Sequence, residues 1–411
     1  MTCAIEPDSP AAITGPWPGC AELLLAKKDQ VEAWFTAQLA RCDPLPYASV
    51  DIRNAGFKIA AVDTNCFPAG FNNLSPRAYQ QARAALQRYL SGRVAQDQVI
   101  ALLAESHSRN LFYYESLAVL HQLIAEAGFT VRLATLMATD ARDLMEVELS
   151  GGRTLTLEGL HRQNETLYVG QQPIALLWLN NDLSAGLPEI IQHVAVPVVP
   201  PVTMGWQQRS KWRHFSLYSQ TVRDFATALG QDPWQLEASC DRCQDVDLRH
   251  GLGIACLKDR AREILDETSK QYAMRHIAAR PFVVAKADQG TYGLAVMVIK
   301  DPEELDHLNR RQRQRMARGK EGAAVTRVFL QEGVPTADYR MTDHAPAEPV
   351  VYLIGGQVVG SFYRVHPQRG DSDILNAPGM EFIPMEHLDE LGWIHGVVAR
   401  LAHLAAVQEA A

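Results

Sequence analysis

Lys286 closes a run of branched residues and is followed four positions later by Gly290, Thr291, Tyr292 and Gly293. A second branched run returns to Lys300. A strand that delivers a fixed cation, then a glycine loop offering bare backbone N–H groups, suits the binding of a polyphosphate. No Gly-Lys-Ser/Thr opens a helix here, and the Gly-x-Gly-x-x-Gly dinucleotide fingerprint is absent. A second group of polar residues lies at 47–74, where Asp51, Arg53, Asn54, Lys58, Asp63, Asn65, Asn72 and Asn73 interrupt strand-like runs. Turn building is the commonest use of such residues. The sharper reading is a polar pocket for a zwitterionic small molecule, with Arg53 and Lys58 facing carboxylates. Arg109 and His107 follow a short apolar strand, at the end where ligands of open sheets gather.

Three further groups invite a chemical reading. Arg364 ends a strand, and Asp371, Asp373 and Asn376 lie in the loop that follows. Cys240, Cys243, His250 and Cys256 could in principle hold zinc. Their spacing lacks the paired pattern of a finger, so ordinary reduced thiols are the expectation. Six basic residues between Arg310 and Lys320, with no acid among them, read as a solvated face, a nucleic-acid patch or a cationic flap near a nucleotide.

These residues need elements to carry them. Leucines, valines and aromatics between Cys20 and Arg41 recur at helical spacing. Ser75-Pro76 starts a helix through about Leu90, and Leu111 to Ala127 forms another. Strands are expected at 99–104, 129–136 and 174–179, with a hairpin over 144–170, giving a small doubly wound domain. Prolines 197, 200 and 201 mark its end. Asp301-Pro302-Glu303-Glu304 predicts a helix start running into the basic segment. Gly355-Gly356 predicts a hairpin, and leucines from Leu388 to Leu404 give the last helix an apolar face.

The 411 residues allow two or three domains, and 47% hydrophobic against 21% charged content predicts a globular chain. With 39 basic and 47 acidic residues, a formal charge of −8 argues against a general nucleic-acid binder. No apolar run reaches membrane-helix length, no secretory leader is evident, and seven cysteines fit a reducing cytoplasm. The partners expected are small molecules, with neither nucleic acid nor membrane; a homo-oligomer is compatible with such a chain.

Val284-Ala-Lys-Ala-Asp-Gln-Gly-Thr-Tyr-Gly293 resembles the lysine strand and flexible glycine loop of the ATP-grasp superfamily. Val328-Phe-Leu-Gln-Glu-Gly-Val334 resembles its adenine-binding linker, and Asp373-Ile-Leu-Asn-Ala-Pro-Gly-Met380 its metal loop. Where that family has an acid two positions before the asparagine, this chain has Ile374, which leaves Asp371 and Asp373 as alternatives. Over nearly its full length, and most specifically at 49–74 and 375–382, the chain resembles the proteobacterial glutamate–cysteine ligase family first named from iron-oxidising bacteria. The resemblance implies an α/β and α+β architecture. A helical lead-in at 1–44 would precede a doubly wound pre-grasp domain at 45–201 and two ATP-grasp-like subdomains at 202–280 and 281–411. It implies ATP and Mg²⁺, with γ-glutamylcysteine as product, the first step of glutathione synthesis. Lys286, Gly290, Thr291, Tyr292, Gly293, Gln331 and Glu332 would bind ATP, with Lys211, Lys258 or Lys270 as a further lysine. Asp373 and Asn376 would bind metal, and Arg364 and Lys286 would act on the phosphoryl group. Arg53, Lys58, Asn65 and Arg109 would hold substrate. The alternatives are another ATP-grasp carboxylate–amine ligase and a nucleotide-binding regulatory protein without turnover.

Overall fold

A computed structural model describes residues 12–106, 110–137, 144–290, 295–318, 324–385 and 389–411. Branched residues build two hairpins that lie far apart in the chain. Tyr47–Asn54 pairs with Ile59–Asn65, and Pro346–Ile354 pairs with Gln357–Val365 across the expected Gly355-Gly356 turn. The two hairpins join antiparallel, from Val350 opposite Asp51 to Ile354 opposite Tyr47. Short strands Ile13–Thr14, Asp338–Arg340 and Glu381–Pro384 complete a seven-stranded sheet. All nine residues of Pro346–Ile354 are buried, as a strand covered on both faces requires.

One cover is the last helix, Glu390–Ala410. Its expected apolar face, from Leu391 through Leu404, is buried, but so is most of its circumference. Leu388 lies outside the described residues. A helix apolar nearly all round is a core element, not an amphipathic strap. It carries two buried histidines, His395 and His403, whose ring nitrogens have no hydrogen-bond partner among the described residues.

The second sheet is a mostly parallel α/β unit. Val198–Val199, Gln172–Leu179, Val99–Leu103, Thr130–Thr135 and Thr154–Gln163 run parallel in that order, with Leu144–Glu148 antiparallel at the edge. The helix Pro76–Leu90 starts as its sequence dictates: Ser75 Oγ accepts from Ala78 N, and proline takes the first turn. One apolar core runs from Leu102 and Trp178 of this sheet to Tyr352 and Phe362 of the first.

The third sheet holds the lysine strand. Cys240–Cys243, Val328–Glu332, Val283–Ala287 and Val296–Ile299 pair antiparallel in that order, backed by the helix Ile254–Met274. The expectation of reduced thiols fails at Cys243 and Cys256, which form a disulfide between the edge strand and this helix. Cys240 is free, and His250 pairs with Asp247 instead of joining the cysteines. The single helix expected from Asp301 is broken. Pro302–His307 is a 3₁₀ turn, Leu308 is non-helical, and Asn309 opens a new helix, Arg310–Met316, through a reciprocal cap with Gln312.

The sheets cut across the expected divisions at 45, 202 and 281. The hairpin at 47–65 belongs with strands at 338–384, and Cys240–Cys243 belongs with strands at 283–332. A strand edge takes whichever partner buries it, regardless of distance along the chain. The prolines at 197–201 flank Val198–Val199, which still pairs with Leu177 and Trp178. Among the described residues no helix is long and apolar enough to cross a membrane.

Candidate functional site

The lysine strand and the two joined hairpins face each other across a pocket, and two lysines enter it. Lys286 is half-buried, and its Nζ donates to Val62 O at 2.6 Å and Gln331 Oε1 at 3.0 Å. Burial lowers its pKa to about 8, with Asp63 opposing and Lys211 reinforcing the shift. Lys211 is the first residue of the helix Lys211–Leu229 and pairs with Asp63 Oδ1 at 2.9 Å, its ammonium 4.3 Å from the centre of the Trp206 ring.

The two lysines are fixed relative to each other by Asp288, a fully buried residue just beyond the lysine strand. Its carboxylate accepts from Ser210 Oγ and from Trp212 N, and its carbonyl accepts from Lys211 N at 2.9 Å. Ser210 in turn caps the helix through Arg213 N. Gly290 follows at φ +111°, a conformation that favours glycine and brings bare backbone to the pocket edge.

Acids and arginines alternate on the opposite wall. Arg364 Nη1 donates to Asp51 Oδ2 at 2.7 Å and Glu348 Oε1 at 2.6 Å. Arg53 pairs with Glu348 through Nε and donates to the carbonyls of Asp371 and Asp373 at 2.9 and 2.8 Å. Burial raises Glu348, but the two guanidinium groups more than reverse that and hold it below the usual carboxylate range. Asp51 is raised, by burial first and by the nearby Glu348 charge against the pull of Arg364. Two donors stay unspent, one on each side of the pocket: Arg364 Nε and Gln331 Nε2 are buried with no partner among the described residues. Unspent buried donors beside a cavity need a ligand or water.

Eight of the expected site residues line this one pocket: Lys286, Gly290, Gln331, Glu332, Arg53, Arg364, Asp373 and Asn376. Asp371 is exposed and outside the lining, so Asp373 is the loop acid that reaches the pocket. Lys211 is the further lysine at the site. Lys258 is instead on the outer face of its helix, paired with Glu303 and Asp306, and Lys270 is exposed.

Lys58 does not line this pocket. It is buried beneath Glu332, 2.5 Å from its Oε1 and 4.2 Å from the Trp234 ring centre. Asn65 is a turn residue, its Oδ1 accepting from Phe67 N. Arg109, His107, Thr291, Tyr292 and Gly293 lie outside the described residues. Arg53 is in the wall, but its guanidinium organises the protein. Sequence reasoning placed Asp51 and Asp63 in a polar cluster without a partner for either, and missed Glu348. The signal available was a charge inside an otherwise apolar strand, clearest for Glu348 in 346–354.

Among the described residues, no three His, Cys, Asp or Glu side chains gather to hold a metal ion. Of the five acids lining the pocket, Asp51, Asp63, Glu332 and Glu348 are each paired with a lysine or arginine, which leaves Asp373, with Asn376 beside it, for a metal. Such a sparse set suits a Mg²⁺ that keeps its waters and binds substrate phosphates, and does not suit a protein-caged ion.

The glutamate–cysteine ligase family matches residues 21–410. The chain belongs to that family. The ligase is also similar to the crystal structure of a protein from Methylobacillus flagellatus KT assigned as a γ-glutamylcysteine synthetase. The two are 36% identical, with 100% of this chain and 99% of that chain covered and a TM-score of 0.87. A glutathione synthetase-like effector from Globodera pallida aligns over 85% of the ligase and 86% of its own chain, at 12% identity and a TM-score of 0.40. D-alanyl-alanine synthetase A from Vibrio cholerae aligns over 74% and 80%, at 11% and 0.37. No match is found among curated proteins. The ligase fold is mixed α/β.

Proposed function

We propose that this pocket joins the γ-carboxylate of glutamate to the amine of cysteine at the expense of ATP. The observation that carries the reading is the convergence of Lys286, Lys211 and Arg364 on one pocket in a glutamate–cysteine ligase chain. Phe282, Val284, Val334 and Leu375 supply an apolar wall for the nucleobase. Gly333 leaves room for the Phe282 ring, whose atoms would lie within 2.5 Å of a β-carbon there. We read the lysine-strand sheet and the large sheet as the two jaws of an ATP-grasp-like clamp.

Carboxylates are poor electrophiles. In the proposed sequence an oxygen of the γ-carboxylate attacks the γ-phosphorus and ADP leaves, giving an acyl phosphate. The cysteine amine, after losing a proton, attacks the acyl carbon, and inorganic phosphate departs with the C–O bond pair. Phosphoryl transfer is chiefly positioning and charge neutralisation. Lys286 holds phosphate oxygens, and Arg364, aligned by Asp51 and Glu348, faces the charge that develops. Asp373 and Asn376 would hold Mg²⁺, which when bound offsets phosphate charge.

Phosphate release from ATP, measured with single amino acids and with pairs, tests the reading. Turnover requiring glutamate and cysteine together supports it. Turnover with a different pair redirects it to another carboxylate–amine ligase, and nucleotide binding without turnover with any pair overturns it.

A further inference from the structure

Asp51 and Asp63 stand directly opposite each other on paired strands, and both line the pocket. Like charges in that position repel, so each needs a cation, and the two are served unequally. Asp51 has both oxygens on Arg364, at 2.7 and 3.4 Å, and its side chain is 16% exposed. Asp63 meets Lys211 through Oδ1, and its side chain is 39% exposed. The other lining acids are committed elsewhere. Glu332 is held by Lys58 and Ser239 N, Glu348 by Arg53 and Arg364, and Asp373 Oδ2 by Gly370 N. With Asp373 assigned to the metal, Asp63 is the most exposed of the lining acids that remain.

We propose that Asp63 receives the α-ammonium of glutamate while the adjacent Lys211 receives its α-carboxylate, which makes Asp63 a specificity-determining residue for the first substrate. This rests on the ligase reading above. A zwitterion placed beside an Asp–Lys pair completes four alternating charges, whereas a dicarboxylate lacking the amine offers Asp63 no ammonium.

The chemistry distinguishes glutamate from cysteine as the occupant. Both bring an ammonium group, but that of cysteine must shed a proton before its lone pair can attack, and that of glutamate stays charged throughout. Burial pushes the Asp63 carboxyl up, and the Lys211 and Lys286 ammonium groups more than reverse this, holding it well below the usual carboxylate range. So acidic a group takes up protons poorly. It suits an ammonium that never gives one up.

Calorimetric titration of glutamate and of glutarate, which lacks the amine, decides the point. It uses the full chain with a non-hydrolysable ATP analogue, as wild type, Asp63→Asn and Asp63→Glu. Wild type is expected to prefer glutamate by on the order of a hundredfold. Asp63→Asn should bind the two within about threefold and keep its affinity for the nucleotide, and Asp63→Glu should recover part of the preference. A glutamate preference that survives in Asp63→Asn overturns the assignment. So does a wild type without preference, or a loss of nucleotide affinity equal to the loss for glutamate, since Asp63 would then serve only as a counter-charge for the lysines. Binding is read independently of turnover, so failure of this assignment is separable from failure of the ligase reading, which phosphate release decides.

Discussion

The hydrogen bonds of Lys286 go to two neutral acceptors, so no direct contact cancels its charge. Its carrier strand holds it half-buried, where a cation acts more strongly on a phosphate than it would in water. Replacing it with methionine should lower ATP-dependent phosphate release by on the order of a hundredfold or more with the fold intact. Near-normal turnover would remove Lys286 from the mechanism. Its pKa of about 8 adds a pH test. The ammonium is present below pH 8 and lost above it, so the KM for ATP should rise from about pH 8 upward. Residual activity of Lys286→Met should lack that alkaline rise.

Arg53 illustrates how far along the chain the partners of one residue can lie. A guanidinium among polar neighbours suggests a carboxylate ligand, and it does find a carboxylate, but that of Glu348, 295 positions away. Its other bonds latch the carbonyls of Asp371 and Asp373, which makes it the anchor of the loop that carries Asp373 and Asn376. Arg53→Ala should cost about 3 kcal/mol of stability in urea unfolding, because a buried carboxylate loses a partner. It should also raise the KM for ATP. A change confined to the KM for glutamate would return Arg53 to the substrate-binding role.

Among the elements, the lysine strand and the helix Lys211–Leu229 behave as one unit because Asp288 bonds to both. Asp288→Ala should cost about 2 kcal/mol, from a lost cap and stranded Ser210 and Trp212 donors. The KM for ATP should rise with it, as the strand that carries Lys286 loses its hold on the helix. Asp288→Asn, which keeps an acceptor, should fall between. Equal ATP kinetics in Asp288→Ala and wild type would show that the lysines are positioned by other contacts.

Much at this level was legible in the sequence. The 283–299 hairpin, the Gly355-Gly356 turn and the Ser75-Pro76 helix start depend on residues within a few positions of one another. Partners were not legible. Nothing in 47–65 announces that its free edge meets 346–354, and so nothing local could assign Glu348 to Arg53. The broken helix near Leu308 was missed for a related reason. Two good start signals, at Asp301 and Asn309, stand close enough to be read as one helix.

At the scale of the whole molecule, the last helix sets the response to acid. His395 and His403 are buried and without hydrogen-bond partners among the described residues, and burial lowers both to about 4 from an ordinary value near 6.5. Unfolding lets them take up protons, so the folded state is favoured fully above pH 6.5. That advantage is lost as pH falls toward 4, by up to about 3 kcal/mol per histidine. Urea midpoints measured between pH 7.5 and 5.5 should fall with pH, and His403→Leu should flatten the trend. An unchanged slope in that variant would show that other groups govern the acid limb.

The pairing of the two hairpins also has a consequence during synthesis. The 295 positions between Arg53 and Glu348 mean that the early hairpin leaves the ribosome long before its partner exists. At roughly 5–20 residues per second the wait is roughly 15–60 s. Throughout it, the edge carrying Val50 and Ile52 lacks the neighbour that buries it, and an unpaired apolar edge invites the wrong strand. The parallel sheet can close on local instructions meanwhile. The pocket cannot, because Glu348 and Arg364 of its wall arrive only with the 346–365 hairpin.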